Sequence, residues 1–231
     1  MSAIELISVN NVTIVIPTKN EEKSISEIMD SVKRYGDEIL IVDGHSKDRT
    51  RDVASRKGAR VVLDGGKGKG DGIRTAIREA KGDIIVFIDA DGSHIPADIP
   101  ELVKPIKEGK ADLVIASRMR GGSDELYGNI SEAFRLIMSV FINLIINYRF
   151  SSHITDSQNG FRAIRKSAAE KLDLKADKFD IEEEMLMKCL KKGFRVSEIP
   201  SMELKRKYGK SNISLWKMWH RYMWRIFVNL F

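Results

Sequence analysis

The feature that most constrains the fold is an alternation, through the first half of the chain, of short apolar runs with segments of helical periodicity. This alternation predicts an α/β domain with a mostly parallel sheet flanked by helices, because consecutive parallel strands need a crossover between them. The predicted strands lie at 12–17, 38–44, 60–66, 83–92 and 112–117, and the predicted helices at 25–32, 46–57, 71–81 and 97–109.

Composition excludes several classes of protein. With 42% hydrophobic and 31% charged residues and no low-complexity tract, the 231-residue chain is neither disordered nor fibrous, and it can bury one large core. Its single cysteine, Cys189, excludes an internal disulfide framework and indicates a reducing compartment. The first residues lack the basic and apolar stretches of a secretory signal.

Polar residues follow the predicted strands at the points where the strands end. They are Asn20, Glu21, Asp43, Asp89, Asp91 and Arg118. Because open parallel sheets bind ligands beyond the carboxyl ends of their strands, we expect these side chains to converge on one cleft.

The sharpest local motif is the sequence FIDADGS, in which Asp89 and Asp91 flank Ala90 directly after a run of buried-type residues. Unpaired carboxylates are costly in a core, so this pair is expected to face a cleft. Mg²⁺ and Mn²⁺ typically bind one or two carboxylates together with substrate phosphates. The motif therefore favours a divalent-cation site over a solvated turn.

A glycine-rich loop at 65–72 precedes a predicted helix and contains Lys67 and Lys69. Backbone amides and lysines in such a loop are suited to holding phosphates, although the spacing matches neither a dinucleotide fingerprint nor a P-loop. The four histidines belong to no hydrolase or zinc motif, and we interpret them as turn or surface residues. They are His45, His94, His153 and His220.

The second half is less regular. A strongly apolar helix is predicted at 134–150, with apolar stretches too short to span a membrane, and it carries Arg135 and Ser139. A strand is predicted at 160–165, a helix at 181–192, extended chain at 195–207 and a final helix at 213–231.

The net charge of +6 is concentrated at the C-terminal end. Residues 204–231 contain seven Lys or Arg, no Asp or Glu, and all three tryptophans. Lys217, Arg221 and Arg225 form a basic stripe on the predicted final helix, beside an apolar stripe. This combination favours attachment to a membrane surface over nucleic-acid binding, and packing of the helix on its own domain is the alternative.

Taken in order, the motifs resemble those of the family 2 glycosyltransferases, and among them the dolichyl-phosphate (polyprenyl-phosphate) mannosyl and glucosyl transferases. The matching segments read IPTKNEE at 16–22, VDGHSKDRT at 42–50, GKG at 68–70, DAD at 89–91, ASR at 116–118, DSQNGFRAIRK at 156–166 and RKYGKS at 206–211. Arg135 and Ser139 match the R-x-x-x-S pair of the lipid-phosphate transferases. Gly44 departs from the family pattern, which has a second aspartate at that position.

The resemblance implies a GT-A-type fold, with a catalytic domain at 1–212 and an amphipathic membrane-interface helix at 213–231. It implies a cation held by Asp89 and Asp91, and a hydrogen bond between Asp43 and the nucleobase of the donor. The implied nucleotide-sugar site comprises Pro17, Thr18, Asn20, Glu21, Asp43, Lys69, Asp89, Ala90, Asp91 and Arg206. The implied acceptor-phosphate site comprises Arg118, Arg135, Ser139 and Arg162, and the implied catalytic residues are Asp91, Arg118, Arg135 and Ser139.

We therefore expect inverting transfer of mannose or glucose from a GDP- or UDP-sugar to a polyprenyl (dolichyl) phosphate, with Mg²⁺ or Mn²⁺. The enzyme is expected to lie peripherally on the cytoplasmic face of a membrane and to bind no nucleic acid. A native chain that continues beyond residue 231 into membrane helices is left open as an alternative. One alternative is a family 2 enzyme that acts on a glycan hydroxyl, with Asp156, Glu182, Glu183 or Glu184 as base. Another is a non-enzymatic module that binds nucleotide sugars or nucleic acid.

Overall fold

The computed structural model describes residues 11–125, 130–208, 223–225 and 227–229, and of residues 130–135 it describes the backbone. The strands are β1 (Val12–Thr18), β2 (Glu38–Asp43), β3 (Arg60–Leu63), β4 (Ile84–Phe87), β5 (Leu113–Ser117), β6 (Arg162–Arg165) and β7 (Val196–Pro200). They form one sheet in the order β3-β2-β1-β4-β6-β5-β7. Each pairing is parallel except those of β6, which runs antiparallel to β4 and β5. The expected mostly parallel α/β fold is confirmed.

The helices connect the strands and cover the sheet. They are α1 (Ile25–Val32), α2 (Thr50–Arg56), α3 (Lys69–Glu79), α4 (Ile99–Lys107), α5 (Arg118–Gly121), α6 (Ile130–Phe150), α7 (Lys166–Ala169) and α8 (Ile181–Lys191), with short 3-10 turns at Pro96–Asp98 and Glu170–Leu172. Residues 223–225 and 227–229 are also helical. Across the described part of the chain, every helix is too short or too polar to cross a membrane.

Two apolar layers enclose the sheet because neighbouring residues along a strand point to opposite faces. On β1, Val15 packs into the layer formed with α3, α6 and α8. Ile14 and Ile16 pack into the opposite layer, with α1 and α4. The buried positions of α1 and α4 recur every three or four residues, which is the spacing that turns one helical stripe toward a sheet.

The direction of the strands determines where a site can form. Because β1, β2, β3, β4 and β5 run the same way, the loops that follow them open at one edge of the sheet. Two of these strands are shorter than the sequence predicts, since β3 ends at Leu63 and β4 at Phe87. The antiparallel β6 adds its preceding residues, 156–160, to the same edge.

The first turn of α3 packs against the backbone that precedes α8. The amide of Gly70 donates a hydrogen bond to the carbonyl oxygen of Asp177 at 3.0 Å. A Cβ atom on Gly70 would overlap the carbonyl oxygen of Ala176. The absence of a side chain at this position therefore allows α3 to approach the segment that leads into α8.

The glycine pair in α3 provides a matched test of this packing. We expect Gly70→Ala to lower the free energy of unfolding by about 1–3 kcal/mol, the usual cost of overpacking. Gly72→Ala meets its nearest atom, Asp64 Oδ2, at 3.4 Å, an ordinary contact, so improved helix propensity should leave it neutral or stabilising. Urea denaturation of both variants measures the difference, and equal stability would contradict the close approach.

Candidate active site

A cleft of about 670 Å³ opens at the carboxyl edge of the sheet. The loops after β1 to β4, the start of α3 and residues from α6, α8 and the segment 203–208 line it. The lining includes these residues predicted from the sequence: Pro17, Thr18, Asn20, Glu21, Lys69, Asp89, Ala90, Asp91, Arg118, Ser139 and Arg206. The cleft brings together most of the predicted site.

The loop after β1 forms one wall of the cleft, and contacts with the loop after β2 hold it. Asn20 has a positive φ of 60°, and its amide donates to Ser46 Oγ at 2.8 Å. Its side-chain oxygen accepts from the amide of Lys47 at 2.8 Å. Glu21 accepts from Ser24 Oγ at 2.9 Å, and burial raises the pKa of its carboxyl group.

Asp43 organises the base of this wall. Its carboxylate is fully buried and accepts from the Ser46 amide at 2.8 Å, the Ser46 hydroxyl at 2.5 Å and Thr18 Oγ1 at 3.1 Å. It does not line the cleft, unlike the neighbouring Val42 and Gly44. In this structure the Asp43 carboxylate therefore holds the two loops together, and its expected contact with the base stays a prediction.

The Asp89 carboxylate is at the centre of a charge cluster. Lys69 Nζ lies 2.9 Å from Asp89 Oδ1 and 2.9 Å from Glu182 Oε1, so it joins α3, the loop after β4 and α8. Burial alone would raise the pKa of Asp89, but Lys69 and His94 outweigh it and hold that pKa well below its usual range. Burial alone would lower the pKa of Lys69, but Asp89 and Glu182 raise it.

Asp91 is held from both sides. Its Oδ1 accepts from the amide and the hydroxyl of Ser93 at 3.0 and 2.7 Å. Its Oδ2 lies 3.5 Å from Arg206 Nε, and its carbonyl oxygen accepts from the amides of Lys207 and Tyr208 at 3.1 and 3.2 Å. The basic segment 206–208 therefore lies directly against Asp91, in the loop after β4.

Arg118 follows β5, lines the cleft and forms ion pairs with Asp156 and Glu203. Its amide, Nε and Nη2 donate to Asp156 at 3.0, 2.7 and 2.9 Å, and Nη1 lies 3.4 Å from Glu203 Oε1. Burial alone would lower the pKa of Arg118, but Asp156 and Glu203 raise it. Asp156 is correspondingly occupied by Arg118, which leaves it poorly placed to act as a base.

Helix α6 supplies the opposite wall, through Met138, Ser139 and Ile142. Ser139 is 3% exposed, and its hydroxyl finds no partner among the described residues. Arg135 lies one turn earlier on the same helix, and its side chain falls outside the described residues.

Arg162 is not part of the cleft. It is 1% exposed, and its guanidinium donates to the carbonyl oxygens of Ser157, Asn159 and Glu182. Burial lowers its pKa, against the opposing effect of Glu182 and Asp156. The prediction that Arg162 binds the acceptor phosphate is therefore wrong, because β6 points this side chain into the fold.

The three consecutive glutamates of α8 have different environments. Glu182 lines the cleft, with Oε1 on Lys69 and Oε2 without a partner among the described residues. Glu183 is fully buried and accepts from Gln158 Nε2 at 2.7 Å. Glu184 accepts from the amides of Lys175 and Ala176. Only the first of these carboxylates faces the cleft.

The cleft also contains residues to which the sequence analysis gives no role in a site, among them His94 and Asp64. His94 lies in a bend, as expected for a turn residue, but it is not on the surface. It is 8% exposed and stacks on Phe161 at 5.1 Å between ring centroids, with Nε2 3.5 Å from Asp89 Oδ2. Asp64 lines the cleft after β3. Its signal was its position, since it follows a strand in the same way as Asp43 and Asp89.

The predicted C-terminal helix is described only in part. Lys217, Arg221 and the stripe residues Leu215, Trp219, Tyr222, Ile226 and Leu230 lie outside the described residues. Arg225 donates from Nε to Asp180 Oδ2 at 2.9 Å, so it pairs with the start of α8. Trp224, Phe227 and Val228 are exposed.

Comparison with known proteins identifies the family. The model of glycosyl transferase family 2 matches residues 13–173, which is more than half of the chain. This chain belongs to glycosyl transferase family 2. The match extends from β1 to the 3-10 turn after α7, and it therefore includes the DAD loop.

Family 2 relatives of this glycosyltransferase include two that are named for dolichyl phosphate. Dolichol-phosphate mannosyltransferase of Pyrococcus furiosus is 31% identical over 215 residues, which cover 87% of this chain and 59% of that protein. UDP-N-acetylglucosamine–dolichyl-phosphate N-acetylglucosaminyltransferase of Methanococcus voltae is 27% identical over 220 residues, covering 85% of this chain and 86% of that protein. This chain thus spans less than two thirds of the length of the first relative.

The fold of the glycosyltransferase matches a solved structure over nearly its whole length. Glucosyl-3-phosphoglycerate synthase from Mycobacterium tuberculosis, in complex with Mn²⁺, UDP and glucosyl-3-phosphoglycerate, has a TM-score of 0.75 and 22% identity. The alignment covers 97% of this chain and 81% of that one. The GT-A-type fold expected from the sequence is confirmed.

The buried Glu183 gives the protein a pH-dependent stability. Burial, with Glu182 and Asp180, raises its pKa from an ordinary 4.5 to about 8, although Gln158 opposes the shift. The folded state therefore binds more protons than the unfolded chain between these values, and the free energy of unfolding falls as the pH rises through that window.

We expect Glu183→Gln to remove this dependence. The stability of the variant relative to the wild type should increase from pH 5 to pH 8, because the wild type alone loses stability there. Thermal melts at both pH values measure it, with the exposed Glu170→Gln as control. A difference between wild type and Glu183→Gln that is the same at both pH values would contradict the raised pKa.

Proposed function

We propose that this family 2 glycosyltransferase transfers a hexose, mannose or glucose, with inversion, from a nucleotide diphosphate sugar to a polyprenyl (dolichyl) phosphate at a membrane surface. The observation that carries the proposal is that α6 joins the cleft to an exposed apolar surface. Ser139 lines the cleft with a hydroxyl that has no partner among the described residues, while the outer face of the described part of the helix exposes apolar side chains. The names of the two dolichyl-phosphate relatives support the same acceptor class.

The outer face of α6 supports peripheral attachment to a membrane. Its exposed residues recur with helical spacing and are Ile137, Val140, Phe141, Leu144 and Tyr148, from 45% to 93% exposed. Contiguous exposed apolar surface marks an interaction site, and a helix of this kind can lie in the plane of a lipid interface. A lipid acceptor could then present its phosphate to the cleft while its chain stays in the bilayer. We place this surface on the cytoplasmic face, because the single cysteine indicates a reducing compartment.

The carboxylates after β4 fit a divalent cation. Asp89 and Asp91 both line the cleft, and Mg²⁺ and Mn²⁺ take one or two carboxylates with phosphate oxygens. Within the described residues, no third acidic, histidine or cysteine side chain joins them in a ligand cluster. When bound there, the ion would neutralise the donor diphosphate and stabilise the leaving nucleoside diphosphate. The bound Mn²⁺ and UDP of the mycobacterial synthase support this assignment.

The basic residues around these carboxylates suit the donor diphosphate. Arg206 lies 3.5 Å from Asp91 and 3.1 Å from Glu125 Oε2, and it is partly exposed at the cleft. Lys69 lies beside Asp89 at the start of α3. Both cations can bind phosphate oxygens as the sugar leaves, which lowers the energy of the charge that develops on the nucleotide.

A phosphate acceptor also fits the distribution of carboxylates. A phosphate monoester is largely ionised near neutral pH, so it needs positioning and partial neutralisation, without a base. Asp156 is occupied by Arg118, and Glu183 and Glu184 are turned away from the cleft. The longest contact of the Arg118 side chain is that of Nη1 with Glu203, at 3.4 Å. We assign this Nη1 group, together with Ser139 and Arg135, to the acceptor phosphate.

A glycan acceptor is the second candidate function, and the observation that favours it is Glu182. This carboxylate lines the cleft with Oε2 unpartnered among the described residues, and a sugar hydroxyl needs such a base. Incubation of the protein with labelled GDP- and UDP-hexoses separates the two, with polyprenyl phosphate in detergent or an oligosaccharide as acceptor. We expect turnover on the lipid phosphate. Turnover confined to the oligosaccharide would refute the lipid acceptor.

Ser139 provides a sharper test of the acceptor site. Ser139→Ala should raise KM for polyprenyl phosphate roughly 10-fold, because a hydrogen bond to a charged group contributes about 1.5–3 kcal/mol. The KM for the nucleotide sugar should stay unchanged. Ser157→Ala is the matched control, since its hydroxyl is also buried and unpartnered among the described residues but lies outside the cleft lining. An equal effect of both substitutions on KM would contradict the assignment.

Asp91→Asn tests the cation site. We expect the variant to lose transfer by at least about 100-fold, the usual scale for one electrostatic stabiliser in a transition state, and to bind Mn²⁺ more weakly. Electron paramagnetic resonance of free Mn²⁺ measures the binding, and Asp52→Asn, on the exposed face of α2, is the control. A variant that binds Mn²⁺ and transfers hexose as the wild type does would refute the role of Asp91.

A further inference from the structure

Asp64 is a cleft carboxylate to which neither the sequence motifs nor the proposed chemistry gives a role. It follows β3 directly, and its side chain is only 4% exposed although it lines the cleft. Its Oδ1 accepts from the amide of Gly66 at 2.7 Å, which fixes the orientation of the carboxylate. Its backbone oxygen lies 2.9 Å from His45 Nε2, which ties the loop after β3 to the loop after β2.

The second oxygen of Asp64 is the one left for a ligand. Within the described ranges of the chain, no hydrogen-bond donor reaches Oδ2. This atom lies 3.6 Å from the Cβ position of Gly44 and 3.4 Å from that of Gly72. Since neither glycine carries a side chain, nothing from these two positions covers the carboxylate on its way to the cleft.

The surroundings of Asp64 remove part of the water from its carboxyl group. Burial raises the pKa of the Asp64 carboxyl, and Asp71 adds to the effect, against the opposing hydrogen bond from Gly66. A partly desolvated carboxylate gains from a fixed hydrogen-bond donor, because hydrogen bonds to a charged group are stronger than those between neutral groups. The position therefore favours a ligand that offers an N–H or O–H donor.

The location of Asp64 indicates which part of a donor would reach it. In the sheet, β3 is separated from β4 by β2 and β1, so their ends lie about 14 Å apart at the usual strand spacing. An extended nucleoside diphosphate can bridge such a distance, with its phosphates at Asp89 and Asp91 and its base at β3. Asp43, a carboxylate at the end of the neighbouring strand β2, is fully buried and occupied by Thr18 and Ser46.

We propose that Asp64 Oδ2 accepts the ring N–H of the donor's base, and so selects bases of the lactam type. Guanine offers N1–H and uracil offers N3–H, whereas cytosine and adenine carry a bare acceptor at the corresponding ring nitrogen. The assignment rests on the proposed nucleotide-sugar donor and makes Asp64 its specificity-determining residue. A base without the ring N–H would leave the carboxylate unpaired, which is how a polar pocket rejects an analogue.

Calorimetric titration of the full chain with GDP, IDP, UDP, CDP and ADP, each with Mn²⁺, tests the assignment. We expect wild-type protein to bind GDP, IDP or UDP at least about 10-fold more tightly than CDP and ADP, the scale of one hydrogen bond to a charged group. Tightest binding of UDP identifies uracil as the base, and tightest binding of GDP or IDP identifies a purine lactam. Equal binding of all five nucleotides would overturn the proposal.

Two substitutions at position 64 complete the experiment. Asp64→Ala and the near-isosteric Asp64→Asn should each weaken binding of the preferred nucleotide about 10-fold or more, while binding of CDP and ADP changes little, so that discrimination is lost. Asp52→Asn is the control, and thermal melts verify folding, with Asp64→Asn retained if the alanine variant unfolds. Variants that keep the wild-type discrimination refute the role of Asp64 and leave the proposed donor intact. A wild-type protein that binds none of the nucleotides refutes both.

Discussion

The charge balance at the carboxyl edge of the sheet is the constraint on which the rest of the site depends. A parallel sheet brings the ends of several strands together, and in this chain those ends carry carboxylates that would repel one another if left alone. Three of them are paired with a cation: Asp89 with Lys69, Asp156 with Arg118 and Asp91 with Arg206. Because each cation comes from a different element, the pairs also fix the positions of those elements around the cleft.

Much of the fold could be predicted from the sequence because buried parallel strands are nearly continuous apolar runs. The predicted strand at 12–17 differs by one residue from Val12–Thr18, and the predicted strand at 38–44 by one from Glu38–Asp43. The predicted strand at 83–92 is too long, because an apolar residue such as Ala90 remains buried after the pairing of β4 has ended. A run of apolar residues in the sequence indicates burial, whereas a β-strand also needs a neighbouring strand to which its backbone is hydrogen-bonded.

The candidate site could be predicted as a set of positions but not as a set of contacts. Asp43 and Asp89 look alike in the sequence, each an aspartate after an apolar run, yet one is sealed by Ser46 and Thr18 and the other faces the cleft. Arg162 is a second example of a residue whose contacts the sequence does not reveal, since it lies on the antiparallel strand β6 and donates to backbone carbonyl oxygens. These differences depend on partners distant in the chain, which no local motif contains.

The contact of Lys207 and Tyr208 with the backbone of Asp91 has a consequence for how the protein is made. During synthesis, Asp91 leaves the ribosome long before Lys207 and Tyr208, which lie against it in the folded protein. Until Lys207 and Tyr208 have been added, the main-chain oxygen of Asp91 lacks these two donors, so the loop after β4 takes its final form only when a segment far later in the chain folds against it.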